Sequence, residues 1–394
     1  MSHRLWELAW LFLKLGTVSF GGPAAHVAVL EDEVVRRRAW LPREQFLDLL
    51  AATQLIPGPN ALEMTAYVGF RRAGIVGSLV AAASFTLPAA LMTAFLAWTY
   101  QRYGALPHVE PFLRGVKPAV LAIIVAAVVR LGKTAIKNRG TGLIALAVAA
   151  AAVHGVNEIA TLVVAGLAGA VLLSLGQPHR PPPSGIATAA CGVCAFSKNS
   201  SAMAGTAMAG TALAGATVAA TGGGVSAWQI GLFFLKVGAV LYGTGYVLAA
   251  YLRGGLVGQG WLTEQELLDA LAAGQVTPGP LITTATFVGY LLAGPSGATT
   301  ATVAIILPGL IVVMITQAWI GRLRQRPWSS RFLDAVNAAS IGLTAVVVVS
   351  LAGATLVDGR AWLIAAAAAW AVVRWHAPVA MLVLGGGLAG LVLG

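Results

Sequence analysis

An all-α polytopic membrane protein, built of two homologous and inverted repeats, is the fold class this sequence predicts, and three observations predict it. The mean hydropathy is +0.82, with 58% apolar and only 10% charged residues among 394, too little polar surface to clothe a soluble globule of this length. The same series of residues occurs twice, about 220 positions apart. Each occurrence interrupts an apolar segment with Pro-Gly-Pro, which stops one helix and starts the next.

The first copy runs Phe12, Lys14 and Gly16, then Trp40-Leu41, Asp48, Gln54, Pro57-Gly58-Pro59, Val68-Gly69 and Leu87-Pro88. The second runs Phe234, Lys236 and Gly238, then Trp261-Leu262, Asp269, Gln275, Pro278-Gly279-Pro280, Val288-Gly289 and Leu307-Pro308. Repeated helix breaks inside an apolar protein are the pattern of a transporter whose site lies between related halves. Residues 1–176 and 226–394 are read as the two repeats. Residues 177–225, opening with Gln177-Pro178-His179-Arg180 and continuing in Ala, Gly, Thr and Ser, are read as a flexible cytoplasmic linker. Its Cys191 and Cys194 are spaced C-x-x-C; they read as spare thiols, with redox or metal sensing as the alternative, since a structural zinc site needs a second pair.

The N-terminal segment does not read as a cleaved signal, because Glu7 and Lys14 interrupt it and no small-residue cleavage site follows. The net charge of +11 does not indicate nucleic acid: the arginines sit in short loops between apolar segments, and no basic helix carries interleaved aromatics.

Each repeat is expected to hold five spans and one hairpin. Arg43 to Ile56 and Asn60 to Arg72 are each roughly 20 Å long as helices, too short for a ~30 Å hydrocarbon core, so they dip in and return or join as one broken span. A returning hairpin puts Arg36 to Arg43 and Arg71-Arg72 on one side, and later crossings bring Lys133, Lys137 and Arg139 back to it, as the positive-inside bias asks. The second half carries its arginines on the opposite loop, Arg322 to Arg331, which makes the repeats inverted and sets both termini outside. The broken-span alternative makes the halves parallel. Thr141 to Val153 and Ala361 to Val373 are shorter than a comfortable span and could form a second hairpin.

A loop at membrane depth is tolerated only when buried in protein or lining a polar cavity. The helices starting near Asn60 and Leu281 would present free N–H groups and the positive end of a dipole to such a cavity, which suits an anion. A further break, Ser19-Phe20-Gly21-Gly22-Pro23, corresponds to Leu241-Tyr242-Gly243-Thr244-Gly245, without the proline. Lys14 and Lys236 either snorkel to the interface or flank one cavity across the pseudo-twofold axis. Thr17, Ser19, Thr53, Gln54 and Asn60, with Gln275, Thr277, Thr283, Thr284 and Thr286, are neutral donors around the breaks; helix capping and back-bonding account for any one of them equally well. Glu63 has no acidic match in the second repeat and either complements the helix dipole or carries a proton. His26 with Glu31, Asp32 and Glu33, followed by Arg36 to Arg38, reads as a solvated interfacial helix or as a collector of anions at the mouth. The six histidines show no metal-ligand spacing and no Gly-rich Lys-Ser/Thr loop implies ATP, so neither a catalytic residue, a metal nor a cofactor is expected.

Phe20-Gly21-Gly22-Pro23, Glu31-Asp32-Glu33, Trp40-Leu41, Phe46-Leu47-Asp48, Gln54-Leu55-Ile56-Pro57-Gly58-Pro59 and Leu87-Pro88, taken in order, resemble the chromate ion transporter family of the long, two-domain type. The resemblance covers both repeats, although the second lacks the acidic cluster and the Gly-Gly-Pro turn. It implies export of chromate, with sulfate as its chemical near-twin, across a bacterial inner membrane, giving chromate resistance. The expected substrate-binding set is Lys14, Ser19, Gly21, Gly22, Gln54, Pro57, Gly58, Pro59, Asn60, Lys236, Gln275, Pro278, Gly279, Pro280 and Thr283, with Glu63 and His26 as coupling candidates. The expected partners are a small oxyanion, the lipid bilayer and a second copy of the chain. The rival functions are sulfate transport with cation coupling, a passive anion channel and, lacking convergent ionisable residues, a membrane enzyme.

Overall fold

The computed structural model describes residues 2–19, 23–53, 57–104, 109–175, 225–242, 247–316, 327–375 and 377–393, all helix or short connection. The linker reading, with Cys191 and Cys194, falls outside the described residues, as do Gly21, Gly22 and Gln54.

In the first half, α1 (Ser2–Val18) buries Leu8, Leu11, Phe12 and Leu15, one helical face, and leaves Trp6, Trp10 and Val18 outward. The chain resumes at α2 (Pro23–Glu31), which continues into a π-helical turn over Asp32–Arg37. Lys14 meets Glu33 at 3.1 Å and Glu7 meets Arg38 at 3.1 Å, so α2 runs back antiparallel along α1. This corrects one expectation: the first turns of α1 lie at the arginine-bearing end of the bundle, not opposite to it, because α2 returns along α1 and sets Arg38 beside Glu7.

Next come α3 (Arg43–Thr53), the Pro-Gly-Pro loop, and α4 (Asn60–Tyr103). The last is two limbs, broken at Ala73 (φ −147°, ψ 27°) and Gly74 (φ 64°, ψ −152°), a conformation open only to glycine at the second position. A Cβ on Gly69 would strike the Gly77 carbonyl, and one on Gly77 the Gly69 carbonyl, so the limbs fold against each other in backbone contact. Arg71 donates to Gln45 Oε1 at 3.0 Å and Arg72 to Glu7 at 3.0 Å, placing both feet of the hairpin at the end where Arg38 lies. Arg38 and Arg72 also stack on the Trp40 ring, 5.2 and 4.9 Å from its centroid. The half closes with α5 (Val109–Ala135), α6 (Arg139–Val153) and α7 (Glu158–Leu175).

The second half repeats the series: α8 (Ala227–Val240), capped by Ser226; α9 (Val247–Leu252) running into a π-helical turn over Arg253–Val257; α10 (Glu264–Val276), capped by Thr263; a 3₁₀ turn (Leu281–Thr283) into α11 (Thr284–Thr316). The break in α11 at Ala293 (φ −145°, ψ 27°) and Gly294 (φ 62°, ψ −149°) copies that in α4. Then follow α12 (Pro327–Thr355), α13 (Gly359–Trp375) and α14 (Val379–Leu393).

The halves interlock. α4 packs on α11, α5 lies against α12, α13 and α14, and α12 against α6 and α7. The far end of α4 reaches the feet of the second hairpin, where Tyr100 donates to Asp269 Oδ2 at 2.9 Å and Gln101 to the Leu291 carbonyl at 3.1 Å. Because the second limb of α4 separates these contacts from Arg72 by about 40 Å of helix, the two hairpins enter the bundle from opposite ends. Lys117 on α5, 14% exposed at its side chain, joins Asp269 at 3.3 Å, and Lys137 joins Asp334 at 2.7 Å. By length and composition four described helices can cross a membrane: Asn60–Tyr103, Val109–Ala135, Leu281–Thr316 and Arg331–Thr355. Five spans per half were expected; the remaining apolar helices, such as Arg139–Val153 and Val379–Leu393, are too short to meet the length criterion.

Three outcomes are expected of purified protein unfolded thermally in detergent. Gly74→Ala, which forces a Cβ into a glycine-only conformation, lowers stability by roughly 1–3 kcal/mol, whereas Ala39→Gly raises it by about 1 kcal/mol, since Ala39 sits at φ 48° where the other repeat has Gly260 at φ 74°. Lys117→Met, which leaves buried Asp269 without its cation and with Tyr100 as partner, costs about 3–5 kcal/mol, and adding Asp269→Leu recovers most of it; a double-variant loss equal to the sum of the losses in Lys117→Met and Asp269→Leu alone would show that the pair carries no coupling.

Candidate substrate site between the two halves

Each Pro-Gly-Pro loop needs a glycine at its centre: Gly58 has φ 133° and Gly279 φ 97°. The flanking proline, at φ −79° for Pro59 and −73° for Pro280, is set for entry into the following helix. What the loops touch is the main finding. Gly58 N–H donates to the Leu241 carbonyl at 2.6 Å, and Gly279 N–H donates to the Ser19 carbonyl at 3.0 Å. Ser19 and Leu241 are the points where α1 and α8 break off, and a broken helix leaves carbonyls without partners. Each loop therefore completes the broken helix of the other half.

The Ser19 carbonyl has a second partner, His26 Nε2, at 2.9 Å. A carbonyl only accepts, so Nε2 carries the proton and the tautomer follows. His26 is buried, with its ring edge-on to Phe85 at 5.9 Å. The second half uses a different donor there, Tyr251 Oη to the Val240 carbonyl at 3.0 Å.

These bonds change what the loops can offer an anion. The glycine amides are taken up in joining the halves. The amides of Leu62 and Glu63 bond to the Pro59 carbonyl, at 2.8 and 3.4 Å, and that of Thr283 to the Pro280 carbonyl at 3.1 Å. The first-turn amides of Asn60 and Ala61, and of Leu281 and Ile282, are the donors left at the two helix starts. Most of the hydroxyls are back-bonded: Thr17 to the Lys14 carbonyl, Thr53 to Leu50, Thr283 to Pro280 and Thr284 to Leu281, all at 2.8–3.0 Å. Thr286 pairs with Thr302 at 2.7 Å, and Thr277 with Thr93 of the first half at 3.3 Å. Pro57, Pro278 and Ser19 are buried, while Asn60 and Gln275 are half-buried.

Lys14 and Lys236 are placed elsewhere. Lys14 is 51% exposed at its side chain and bonded to Glu33, and lies about 200° around α1 from Gly16, whose carbonyl neighbours Gly279. Lys236 is exposed. Neither lines the crevice between the halves. Glu33 is instead the hub of an ion-pair cluster at the arginine end, taking Lys14, Arg37 and Arg38 at 3.1, 3.3 and 3.6 Å.

Glu63 sits in that crevice. It is 2% exposed, and neither carboxyl oxygen has a hydrogen-bond partner. Gly58, Pro59 and Leu62 line one wall; Ile305, Ile306, Gly309 and Leu310 of the other half line the second. A Cβ at Gly309 would stand 3.0 Å from the Pro57 carbonyl and 3.4 Å from Glu63 Oε1, so the glycine opposite gives the carboxyl its room. In the mirror position Ala89 packs on Gly279, and Thr284 stands where the first half has Glu63.

Sequence reasoning missed Lys117. Its signal was a lysine beside Pro118 within a long apolar helix, and its partner Asp269 had been read only as a marker of the repeat. Among the described residues no group of three or more His, Cys, Asp or Glu side chains could hold a metal ion.

The chromate transporter family model matches residues 6–170 and 228–391. The chain is 32% identical over 361 residues to a chromate transport protein of Cupriavidus metallidurans, covering 91% of this chain and 85% of that protein. It is 33% identical over 346 residues to a chromate transport protein of Pseudomonas aeruginosa, covering 87% and 80%. No solved structure matches the chain. With both halves matched over almost their whole described length, and with apolar helices that can cross a membrane, this multi-pass chain belongs to the chromate transporter family.

Proposed function

We propose that the protein exports chromate from the cytoplasm across the bacterial inner membrane and so confers chromate resistance. The observation that carries the reading is the reciprocal bonding of the two Pro-Gly-Pro loops to the broken helices of the opposite halves, in a chain whose relatives are chromate transport proteins. The two helix starts, near Asn60 and Leu281, each follow a loop seated on the broken helix of the opposite half, and their free amides suit a tetrahedral oxyanion without neutralising it. The reciprocal bonds at the two loops make this junction the pivot about which the halves would rock, exposing the site to one side or the other.

Orientation follows from charge. The end bearing Arg36–Arg38, Arg71, Arg72, Lys133 and Lys137 faces the cytoplasm. Arg38 and Arg72 are tied to Glu7 and Trp40 and Arg37 to Asp32 and Glu33, so their role is to hold this end together; the exposed Arg36 remains to attract anions at the mouth.

The driving force needs no chemistry. A dianion leaving a cell that is 100 mV negative inside gains about 4.6 kcal/mol, from roughly 2.3 per charge, enough for a gradient above a thousandfold. Sulfate has the same shape and charge and is the expected competitor.

Radiolabelled chromate should accumulate saturably in everted vesicles from cells expressing the protein when the lumen is made positive, and sulfate should compete. Flux proportional to concentration without saturation would indicate a channel, and no flux above control vesicles would end the chromate reading.

A further inference from the structure

Glu63 is the group in the crevice that the potential-driven cycle leaves without work. It lies at the start of the hairpin's return limb, beneath Gly58 and against Ile305, Ile306, Gly309 and Leu310 of α11 in the other half. A carboxylate there has no cation, no hydrogen-bond donor and no water-exposed oxygen, which is the most costly way to bury a charge. The ionisable groups close enough to feel it, among the described residues, are two neutral phenols: Tyr67 on its own limb, whose hydroxyl is engaged with Thr316 at 2.7 Å, and Tyr242 just past α8. The facing stretch of α11, Ile305 to Leu310, brings none. A metal cation would need several oxygens, and among the described residues no group of three or more His, Cys, Asp or Glu side chains could hold one. The closed crevice therefore accommodates the neutral acid, and the ionised form requires the two halves to part and admit water.

We infer that Glu63 is a proton-binding residue of the translocation site, loaded together with the anion. A dianion arriving at the helix start three residues away is repelled by a carboxylate and tolerated by the acid. Binding of the anion thus takes up a proton at Glu63 Oε1 or Oε2 from the aqueous phase, and opening on the other side releases both. The asymmetry between the repeats supports this: Gly309 makes room for the acid, while its counterpart Ala89 faces a loop that has Thr284 instead. One proton per dianion halves the charge moved per cycle. This inference rests on the oxyanion reading proposed above.

The test is equilibrium binding of radiolabelled chromate to purified, monodisperse protein in detergent across a pH series, with proton uptake followed in weak buffer. Wild type should take up more protons per chromate bound than Glu63→Gln, a difference that cancels any protonation of chromate itself. Its affinity should fall by up to tenfold per pH unit above the range where free Glu63 loses its proton, and be full below it. Glu63→Gln, and Glu63→Thr copied from the other repeat, should bind with an affinity that lacks this component. Equal proton uptake in wild type and Glu63→Gln overturns the inference while leaving the transporter reading intact. Absence of chromate binding in folded wild type overturns both.

Discussion

Two hydrogen bonds set the arrangement on which the rest of the molecule depends: the amide of Gly58 to the carbonyl of Leu241, and the amide of Gly279 to the carbonyl of Ser19. A helix broken in the middle of a membrane leaves carbonyl groups that hydrocarbon cannot satisfy, and a Pro-Gly-Pro loop leaves an amide in the same condition. Within its own half the broken end of α1 finds His26 and that of α8 finds Tyr251, while each loop amide finds its partner across the interface, so the two halves complete each other. The interlocking of α5 with α13 and α14, and of α12 with α6 and α7, extends the same dependence to the periphery.

Duplication made this exchange available, and divergence then separated the two junctions. At the hairpin feet one half pairs Arg43 with Glu31 at 3.3 Å, while the other pairs Glu264 with Arg253 at 2.7 Å, the same contact with its charges reversed. The reversal exchanges the signs within a neutral pair and leaves the fold unaltered. At the broken helices, His26 in one half and Tyr251 in the other serve the same carbonyl end with different chemistry. Geometry is shared; titratable groups are not.

Much of the architecture was legible in the sequence because it is carried by residues whose backbone behaviour is special. Pro57-Gly58-Pro59 and Pro278-Gly279-Pro280 mark the helix breaks, and the short apolar stretches on either side are the limbs that turn back on themselves. Gly74 and Gly294, which reverse the limbs, were not singled out, since an isolated glycine in an apolar helix looks like many others. The placement of Lys14 was half legible: a repeated lysine left an escape to the interface and a shared cavity both open, and the antiparallel run of α2 along α1, which brings Glu33 alongside, decides between them. Lys117 was missed for the complementary reason. It has no counterpart in the other repeat, and Asp269, its partner, lies some 150 residues away in sequence.

The distribution of charge explains how such a site could both hold and release a dianion. A permanent cation at the centre would bind the anion strongly in both conformations, and an interaction equal in two states moves neither. Here the cations are committed: Lys14 to Glu33, Lys117 to Asp269, and Arg38 and Arg72 to Glu7. Each junction loop leads instead into a helix start, whose field falls off within a turn, and in the rocking proposed above the distance between the two starts would change. Attraction of that kind is strong where the two starts converge and weak where they part. The affinity of the site would then be a property of the conformation rather than of a fixed charge.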